Sequence, residues 1–230
     1  MSVSGDELGK RIRIFDIVCP LRYDILVRAE FIELLAKNEE LLASELEELL
    51  EHRAARSYAV WFREVCIKRF ASEIYDDKKL VRQRFVIRVE KTKRLWESIH
   101  LTGFDAAHPI TLRSGKSILQ VNGKKIGASL FAGEGCHRIA CLLVMGKKYL
   151  EPNEYRVAIQ SKFQPLDNTA LLLDKLPISV ADYLQFISRG YCAGQTLATP
   201  NEAVAYLEEN DSDRLPELKS IFEHDLIRLT

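Results

Sequence analysis

The sequence has few of the features that would anchor a chain in a membrane or cross-link it. Its longest uninterrupted apolar run, residues 139–145, is seven residues long, whereas a membrane-spanning helix needs about 20. The five cysteines are an odd number and include no C-x-x-C pair, which argues against a disulfide framework and a zinc site. The first seven residues do not place basic residues before an apolar stretch, so no signal peptide is expected. We therefore expect a cytoplasmic protein with reduced thiols, no membrane contact and no protein-ligated metal.

The chain also lacks an excess of charge of either sign. Its 33 lysines and arginines balance 33 aspartates and glutamates, and its 47% hydrophobic and 29% charged residues are ordinary for a soluble globular protein. A protein whose main task is to bind duplex DNA needs a cationic excess that displaces counterions. We therefore do not expect sequence-specific binding of nucleic acid, although the composition is compatible with a local basic patch.

Glycine and proline are absent between Leu21 and Gly103. Apolar residues in this stretch recur at spacings of three and four, as on the buried face of a helix. We predict two to four helices here, preceded by a strand or extended segment at residues 11–18. A strand is predicted at residues 85–89, followed by a helix at residues 90–100 that Gly103 ends.

Shorter elements dominate the middle of the sequence. Asn122-Gly123 predicts a tight β-hairpin, and Gly146 should end the helix that follows Arg138. The predicted strands here are residues 109–113, 118–121, 126–131 and 155–159. Further helices are predicted at residues 179–190, 199–207 and 218–227, the second of them with a Thr-Pro start.

These patterns together predict an α+β protein, with a small mixed sheet-and-helix core between two helical flanks. The N-terminal, mostly helical region would comprise residues 1–84. The core would comprise residues 85–160, and the C-terminal helical region residues 161–230.

One stretch carries chemistry beyond fold signals: residues 133–138, Gly-Glu-Gly-Cys-His-Arg, here named the glycine turn. A predicted strand enters it and an apolar helix leaves it, and the first N–H groups of a helix attract anions. Gly133 and Gly135 let the backbone approach a ligand closely, while His137 and Arg138 offer donors for phosphate oxygens. The helix start should also favour the thiolate of Cys136. The glycine turn is predicted to bind an anion or nucleotide; the alternative is a tight turn whose Cys and His simply pack.

The residues around the glycine turn resemble a known superfamily. Residues 91–113, K-T-K-R-L-W-E-S-I-H-L-T-G-F-D-A-A-H-P-I-T-L-R, resemble the L-x-x-S-I-x-x-x-G…P-I-x-V-R opening of the ParB/sulfiredoxin superfamily. Gly135-Cys136-His137-Arg138 matches the G-C-H-R signature of sulfiredoxins. Ala132-Gly133-Glu134, with Arg138 and Ala140, is similar to the A-G-E-R-R-x-R-x-A box of ParB proteins. The resemblance covers residues 85–160 and implies a ParB/sulfiredoxin-like core.

Departures from the family patterns separate its branches. Gly135 and Cys136 stand where the ParB box has two arginines, which argues against a ParB-type nucleotide clamp. Glu134 stands where sulfiredoxins have glycine, and sulfiredoxins lack the two helical flanks. The free serine kinases are a third branch of similar fold, with a motif helix for the nucleotide and a carboxylate base that Glu134 could supply.

The resemblance implies a nucleotide-binding protein, and the leading hypothesis is a phosphotransferase that uses ATP or another nucleoside triphosphate with Mg²⁺. Its acceptor would be a small hydroxyl-bearing molecule. Phosphates would bind at the glycine turn, with Lys91 and Ser98 as further contacts by position in the family pattern. The alternatives are sulfiredoxin-like ATP-dependent thiol chemistry through Cys136, and a non-catalytic ParB-like nucleotide-sensing or DNA-associated module.

Overall fold

The structure, a computed structural model, combines helices with small sheets, which confirms the α+β class. The residues it describes are 2–3, 10–18, 22–114, 119–121, 124–126, 130–159, 172, 175–176, 199–210, 212 and 215. The helices predicted at residues 179–190 and 218–227 lie outside them, as do Asn122 and Gly123.

Helices make up most of the described chain. They are α1 (Ile14–Val18), α2 (Tyr23–Lys37), α3 (Leu46–Leu49), α4 (Arg53–Trp61), α5 (Lys68–Phe70), α6 (Lys78–Thr102), α7 (Cys136–Val144) and α8 (Pro200–Asn210). A π-helical segment, Phe62–Ile67, joins α4 to α5 without a break. Short 3₁₀ helices lie at Glu39–Leu42, Ser72–Ile74 and Pro152–Glu154.

The longest helix, α6, shows that the strand predicted at residues 85–89 was wrong. Asp77 caps the helix, since its carboxylate accepts a hydrogen bond from the Leu80 N–H at 2.9 Å. The side chains that α6 buries recur at helical spacing: Phe85, Val89, Thr92, Trp96 and Ile99. The β-branched and aromatic residues favoured a strand locally, but packing of this stripe against the core keeps the segment helical.

Three helix boundaries confirm the sequence prediction. Gly103 follows α6 with φ 81°, and Gly146 follows α7 with φ 78°, a left-handed conformation that favours glycine. Pro200 is the first residue of α8.

The strands form small sheets. They are β1 (Ser2–Val3), β2 (Ile12–Arg13), β3 (Ile110–Ser114), β4 (Leu119–Val121), β5 (Lys124–Ile126), β6 (Leu130–Glu134), β7 (Tyr149–Leu150) and β8 (Tyr155–Ile159). The main sheet has the order β1-β8-β3-β6, in which β3 and β8 are parallel and the other pairs antiparallel. β2 pairs with β7, and β4 with β5 as the predicted hairpin requires.

Two strand predictions need correction. Residues 11–18 are not one extended segment, because only Ile12–Arg13 is a strand and Ile14–Val18 is helical, with Ile14, Ile17 and Val18 buried. The strand predicted at residues 126–131 falls on strands of two sheets: Ile126 belongs to β5, and residues 130–131 belong to β6, which continues to Glu134 at the edge of the glycine turn. Residues 127–129 lie outside the described residues.

The core lies where α2, α4, α6 and α7 meet. Tyr58 of α4 is fully buried and stacks on Phe31 of α2, with ring centroids 4.4 Å apart, and on Trp61 at 5.0 Å. Phe85 of α6 lies 5.8 Å from the same ring. Helix α7 packs against α2 and α6 and also contacts β3. It therefore connects helices α2, α4 and α6, here named the helical layer, to the main sheet.

The cap of α6 gives a first test of the fold. Asp77→Ala removes the acceptor for the Leu80 N–H and should lower the free energy of unfolding by about 1 kcal/mol. Asp76→Ala is the matched control, because Asp76 is the exposed neighbour outside the cap. Urea unfolding measures both; equal losses in the two variants would contradict the capping role.

Candidate functional site

The two glycines of the glycine turn make room for two arginine side chains. A Cβ on Gly133 would lie 2.7 Å from Arg113 Cγ, and a Cβ on Gly135 would lie 2.9 Å from Arg138 Nη2. Gly135 also has φ +86°, a conformation that is strained for other residues. The Gly-x-Gly pattern thus brings Arg113 and Arg138 close to the backbone at the point where β6 ends and α7 begins.

The N-terminus of α7 is open to an anion. Gly135 occupies the cap position, and no side-chain cap bond and no acidic first-turn residue is found in this part of the described chain. The first helical backbone bond runs from the Ile139 N–H to the Gly135 carbonyl at 2.9 Å. The N–H groups before it carry the positive end of the helix dipole.

Three arginines surround this helix start. Arg113 Nη2 lies 3.5 Å from one oxygen of Glu134, and Arg156 Nη2 lies 3.9 Å from the other. Arg138 donates to the His108 carbonyl. Burial lowers the pKa of Arg138, and Arg156 adds to this, while Cys136, Glu134 and Asp105 oppose it. Burial thus disfavours the charged form of Arg138, and an anion at the turn would favour it.

The opposite side of the glycine turn is held by Arg22, which precedes α2. Arg22 Nη2 donates to Cys136 Sγ at 3.0 Å, and Nη1 donates to the Ala132 carbonyl. The guanidinium also contacts Asp24, with Nε–Oδ1 2.8 Å and Nη2–Oδ2 3.1 Å. Burial opposes the charge of Arg22, but Asp24 and Cys136 outweigh it and raise its pKa.

Asp24 links Arg22 to a second arginine. The Asp24 side chain is fully buried, and Arg28 Nη1 donates to both its carboxylate and, at 2.9 Å, its backbone carbonyl. The Arg28 guanidinium lies over the Trp61 ring, 3.9 Å from the centroid. Burial alone would raise the pKa of Asp24, but Arg22 and Arg28 hold it well below its usual range. Arg22, Asp24 and Arg28 are together named the buried charge triad.

His137 points away from the open helix start. Its Nε2 lies 2.8 Å from Tyr58 Oη, which in turn lies 2.7 Å from Thr92 Oγ1. Thr92 donates its own proton to the Arg88 carbonyl at 3.0 Å. Tyr58 therefore donates to Thr92 and accepts from His137, so Nε2 carries the proton of the neutral imidazole.

The charge of His137 is suppressed by its surroundings. Burial of the ring lowers its pKa well below 6.5, and Arg28 and Arg88 lower it further, with Asp24 opposing. The ring packs edge-on against Tyr58 and Trp61, at centroid distances of 6.0 and 5.5 Å. The structure thus places His137 as a neutral residue that fixes α7 against the helical layer, and its Nε2 is not directed to a phosphate.

The remaining residues predicted from the sequence fall into two groups. Gly133, Glu134, Gly135, Cys136 and Arg138 come together at the glycine turn. Lys91 and Ser98 are exposed on α6. Lys91 lines a separate pocket with Cys66 and Arg88, and the Ser98 carbonyl accepts a bond from Thr102 Oγ1 at 2.8 Å.

Several site residues were not predicted from the sequence: Arg22, Asp24, Arg28, Arg113 and Arg156. The sequence does indicate a pair between Asp24 and Arg28, because they are four residues apart on one helix face, with the apolar residues 25–27 between them. Arg113 and Arg156 lie on adjacent strands, where Thr111 is paired in register with Arg156. That pairing depends on the parallel contact of β3 with β8, which no local pattern predicts.

Comparisons of the chain with protein-family models, with curated proteins and with solved structures found no match. None of the described helices is long and apolar enough to cross a membrane. The function proposed below rests on the geometry of the glycine turn.

The neutral state of His137 predicts how stability depends on pH. Its folded pKa is depressed, so below pH of about 6.5 the unfolded chain binds a proton that the folded protein excludes. Stability should therefore fall by about 1 kcal/mol between pH 6.5 and 5.5 from this residue alone. In His137→Gln that contribution should vanish, so the free energy of unfolding should fall less steeply between pH 6.5 and 5.5, although the variant is less stable at pH 7.5.

Urea unfolding at pH 7.5, 6.5 and 5.5 measures this slope. The control is His100→Gln, which removes an exposed histidine from α6. An unchanged slope in His137→Gln, or equal flattening in both variants, would contradict the assignment.

Proposed function

We propose that the protein binds a nucleotide by its phosphate groups at the N-terminus of α7. One observation carries this proposal: an uncapped helix start whose glycines admit Arg113 and Arg138, with Arg156 beside them. Backbone N–H groups and guanidinium forks are the donors that phosphate oxygens prefer. Glu134 lies near Arg113 and Arg156, and Glu134 and Asp105 both act on Arg138, so a bound phosphate would place further negative charge beside the three arginines.

The chemistry proposed for this site is phosphoryl transfer to a small hydroxyl-bearing molecule. Such a reaction requires mainly positioning and charge stabilisation. Arg138, at the helix start, stabilises charge on the transferred group. Glu134 has an exposed side chain (59%) at the edge of the turn, where it can accept the proton of an acceptor hydroxyl, and Arg113 and Arg156 fix its position.

A magnesium ion would be held mainly by the nucleotide. Mg²⁺ usually keeps several waters and binds through one or two carboxylates together with substrate phosphates. Among the described residues, no three His, Cys, Asp or Glu side chains converge into a metal-binding group. Because Glu134 lies between Arg113 and Arg156, the nucleotide phosphates and water would hold Mg²⁺, which would neutralise charge on the phosphates.

The binding site is tested by Arg138→Ala. Removing one charge-assisted hydrogen bond to phosphate should weaken binding about tenfold to a hundredfold. The matched control is Arg94→Ala, which removes an exposed arginine of α6. Calorimetric titration with ATP, ADP, CTP and GTP, with and without Mg²⁺, gives the affinities. Equal affinity of folded Arg138→Ala and wild type for the bound nucleotide would reject the site.

A second candidate function is favoured by the contact between Arg22 and Cys136. The Arg22 guanidinium donates to the sulfur at 3.0 Å and so orients a side chain of the type that serves as a nucleophile in thiol enzymes. In this alternative, Cys136 attacks a sulfinate that ATP has activated, as the resemblance to sulfiredoxins implies. The glycine turn would bind the same phosphates in both cases.

Cys136→Ser separates the two reactions. In a phosphotransferase the backbone at this position binds the phosphate, so the variant should keep most of its nucleotide affinity and a good share of turnover. In a thiol enzyme it should lose all turnover, because the serine oxygen is a far poorer nucleophile. The control is Cys141→Ala in the buried part of α7, where burial raises the thiol pKa to about 12.

Turnover is measured as the release of nucleoside diphosphate, separately with candidate hydroxyl acceptors and with a protein sulfinate. Loss of turnover in Cys136→Ser with nucleotide still bound would reject the phosphotransferase and support the thiol mechanism. Retained turnover would reject the thiol mechanism.

A further inference from the structure

A pocket whose lining is separate from the glycine turn lies along α6. It has a volume of about 530 Å³, between the π-helical segment with the residues that follow it and one face of α6. It is named the α6 pocket. In the part of the chain that the structure describes, no residue of the glycine turn lines it.

One wall of the α6 pocket is basic. Arg84, Arg88 and Lys91 project from successive turns of α6, and Glu73 is the acidic residue of the described lining. The nearby Glu64 accepts two hydrogen bonds from Tyr75 Oη, at 2.8 and 3.0 Å. The pocket thus has an excess of positive charge.

Arg88 is the innermost of these cations. Its Nε is buried and has no hydrogen-bond partner among the described residues, an arrangement that is costly unless a ligand or water completes it. Cys66 lines the same pocket, and burial raises the pKa of its thiol, with Arg28 and Arg88 opposing. The thiol stays neutral at pH 7, so it adds no negative charge for Arg88.

The facing wall is apolar and partly open to solvent. Phe62, Ile67 and Ile74 contribute to it. Phe70 and Ile87 also line the pocket, although 74% and 52% of their surfaces are exposed. Exposed apolar side chains next to a cationic group are suited to a ligand with an apolar body and an anionic head. The π-helical segment fits this reading, because such segments occur frequently at functional sites.

We propose that the α6 pocket binds a small organic anion with an apolar body, such as an alkyl or aryl carboxylate or phosphate monoester. Arg88 binds the anionic head, with Arg84 and Lys91 adding to the attraction. Phe70 and Ile87 cover the apolar body. The volume lies within the range of roughly 300–1,000 Å³ that small-molecule sites occupy.

A pair of fluorescent probes tests the proposal. Anilinonaphthalene sulfonate has an aromatic body and one anionic group, and phenylnaphthylamine is the same body without the sulfonate. Arg88→Met, which keeps the apolar stem, should raise the dissociation constant of the sulfonate about tenfold or more and leave that of the neutral probe unchanged. Arg94→Met, on the same helix outside the pocket, is the matched control and should change neither.

A second variant covers the possibility that Arg88→Met unfolds. Ile87→Glu changes an exposed residue of the lining and should weaken both probes, the sulfonate more strongly because the new carboxylate repels it. Displacement of the sulfonate by octanoate, octyl phosphate and octanol then identifies the head group: the better of the two anions names the class, and octanol should be the weakest competitor. Sulfonate affinity that is unchanged in folded Arg88→Met, or unchanged in Ile87→Glu, or displacement by octanol as effective as by the anions, would overturn the proposal.

Discussion

The carboxylate of Asp24 lies fully buried between Arg22 and Arg28, and this contact connects the candidate site to the core. Removing one partner of a buried ion pair typically destabilises a protein by about 3–5 kcal/mol, because the remaining charge is left without compensation. Arg22 extends from the triad to the Ala132 carbonyl and Cys136 Sγ. Arg28 extends to the Trp61 ring. The position of the glycine turn relative to the helices therefore depends on this carboxylate as well as on the bond between His137 and Tyr58.

The buried charge triad has two arginines and one aspartate, and its excess positive charge affects the residues around it. Arg28 contributes, after burial, to lowering the pKa of His137. The neutral imidazole can then donate to Tyr58, which donates to Thr92 of α6. The two sides of the glycine turn therefore differ: the inner side is fixed by neutral hydrogen bonds and buried charge, and the outer side presents Arg113 and Arg138 beside the first backbone N–H groups of α7.

Local signals predicted much of the fold. The hairpin, β8, the ends of α6 and α7, and the Pro200 start of α8 each depend on a few neighbouring residues. The strand predicted at residues 85–89 was wrong because Phe85 and Val89 belong to a buried stripe at helical spacing that continues to Ile99. Propensity over five residues was outweighed by packing along the whole helix.

The candidate site was predicted in part for the same reason. Gly133, Gly135 and Arg138 are neighbours in sequence, so their convergence could be inferred from the chain. Asp24 and Arg28 come from more than a hundred residues earlier, and charged residues in a helix are ordinarily expected on its solvent side. His137 was expected to bind phosphate, but its orientation depends on Tyr58, which is distant in sequence.

The pairing of the N-terminal segment has a consequence for synthesis on the ribosome. β1 pairs with β8, β2 pairs with β7, Arg11 contacts Glu151 at 2.9 Å, and Tyr155 Oη donates to the Lys10 carbonyl at 2.9 Å. Residues 2–3 and 10–13 thus find these partners only after β7 and β8 have left the exit tunnel. Helices α2 to α6 leave the tunnel earlier, but α2 also packs against α7, which is synthesised after them. Until β7 and β8 are available, β1 and β2 are therefore unpaired strand edges.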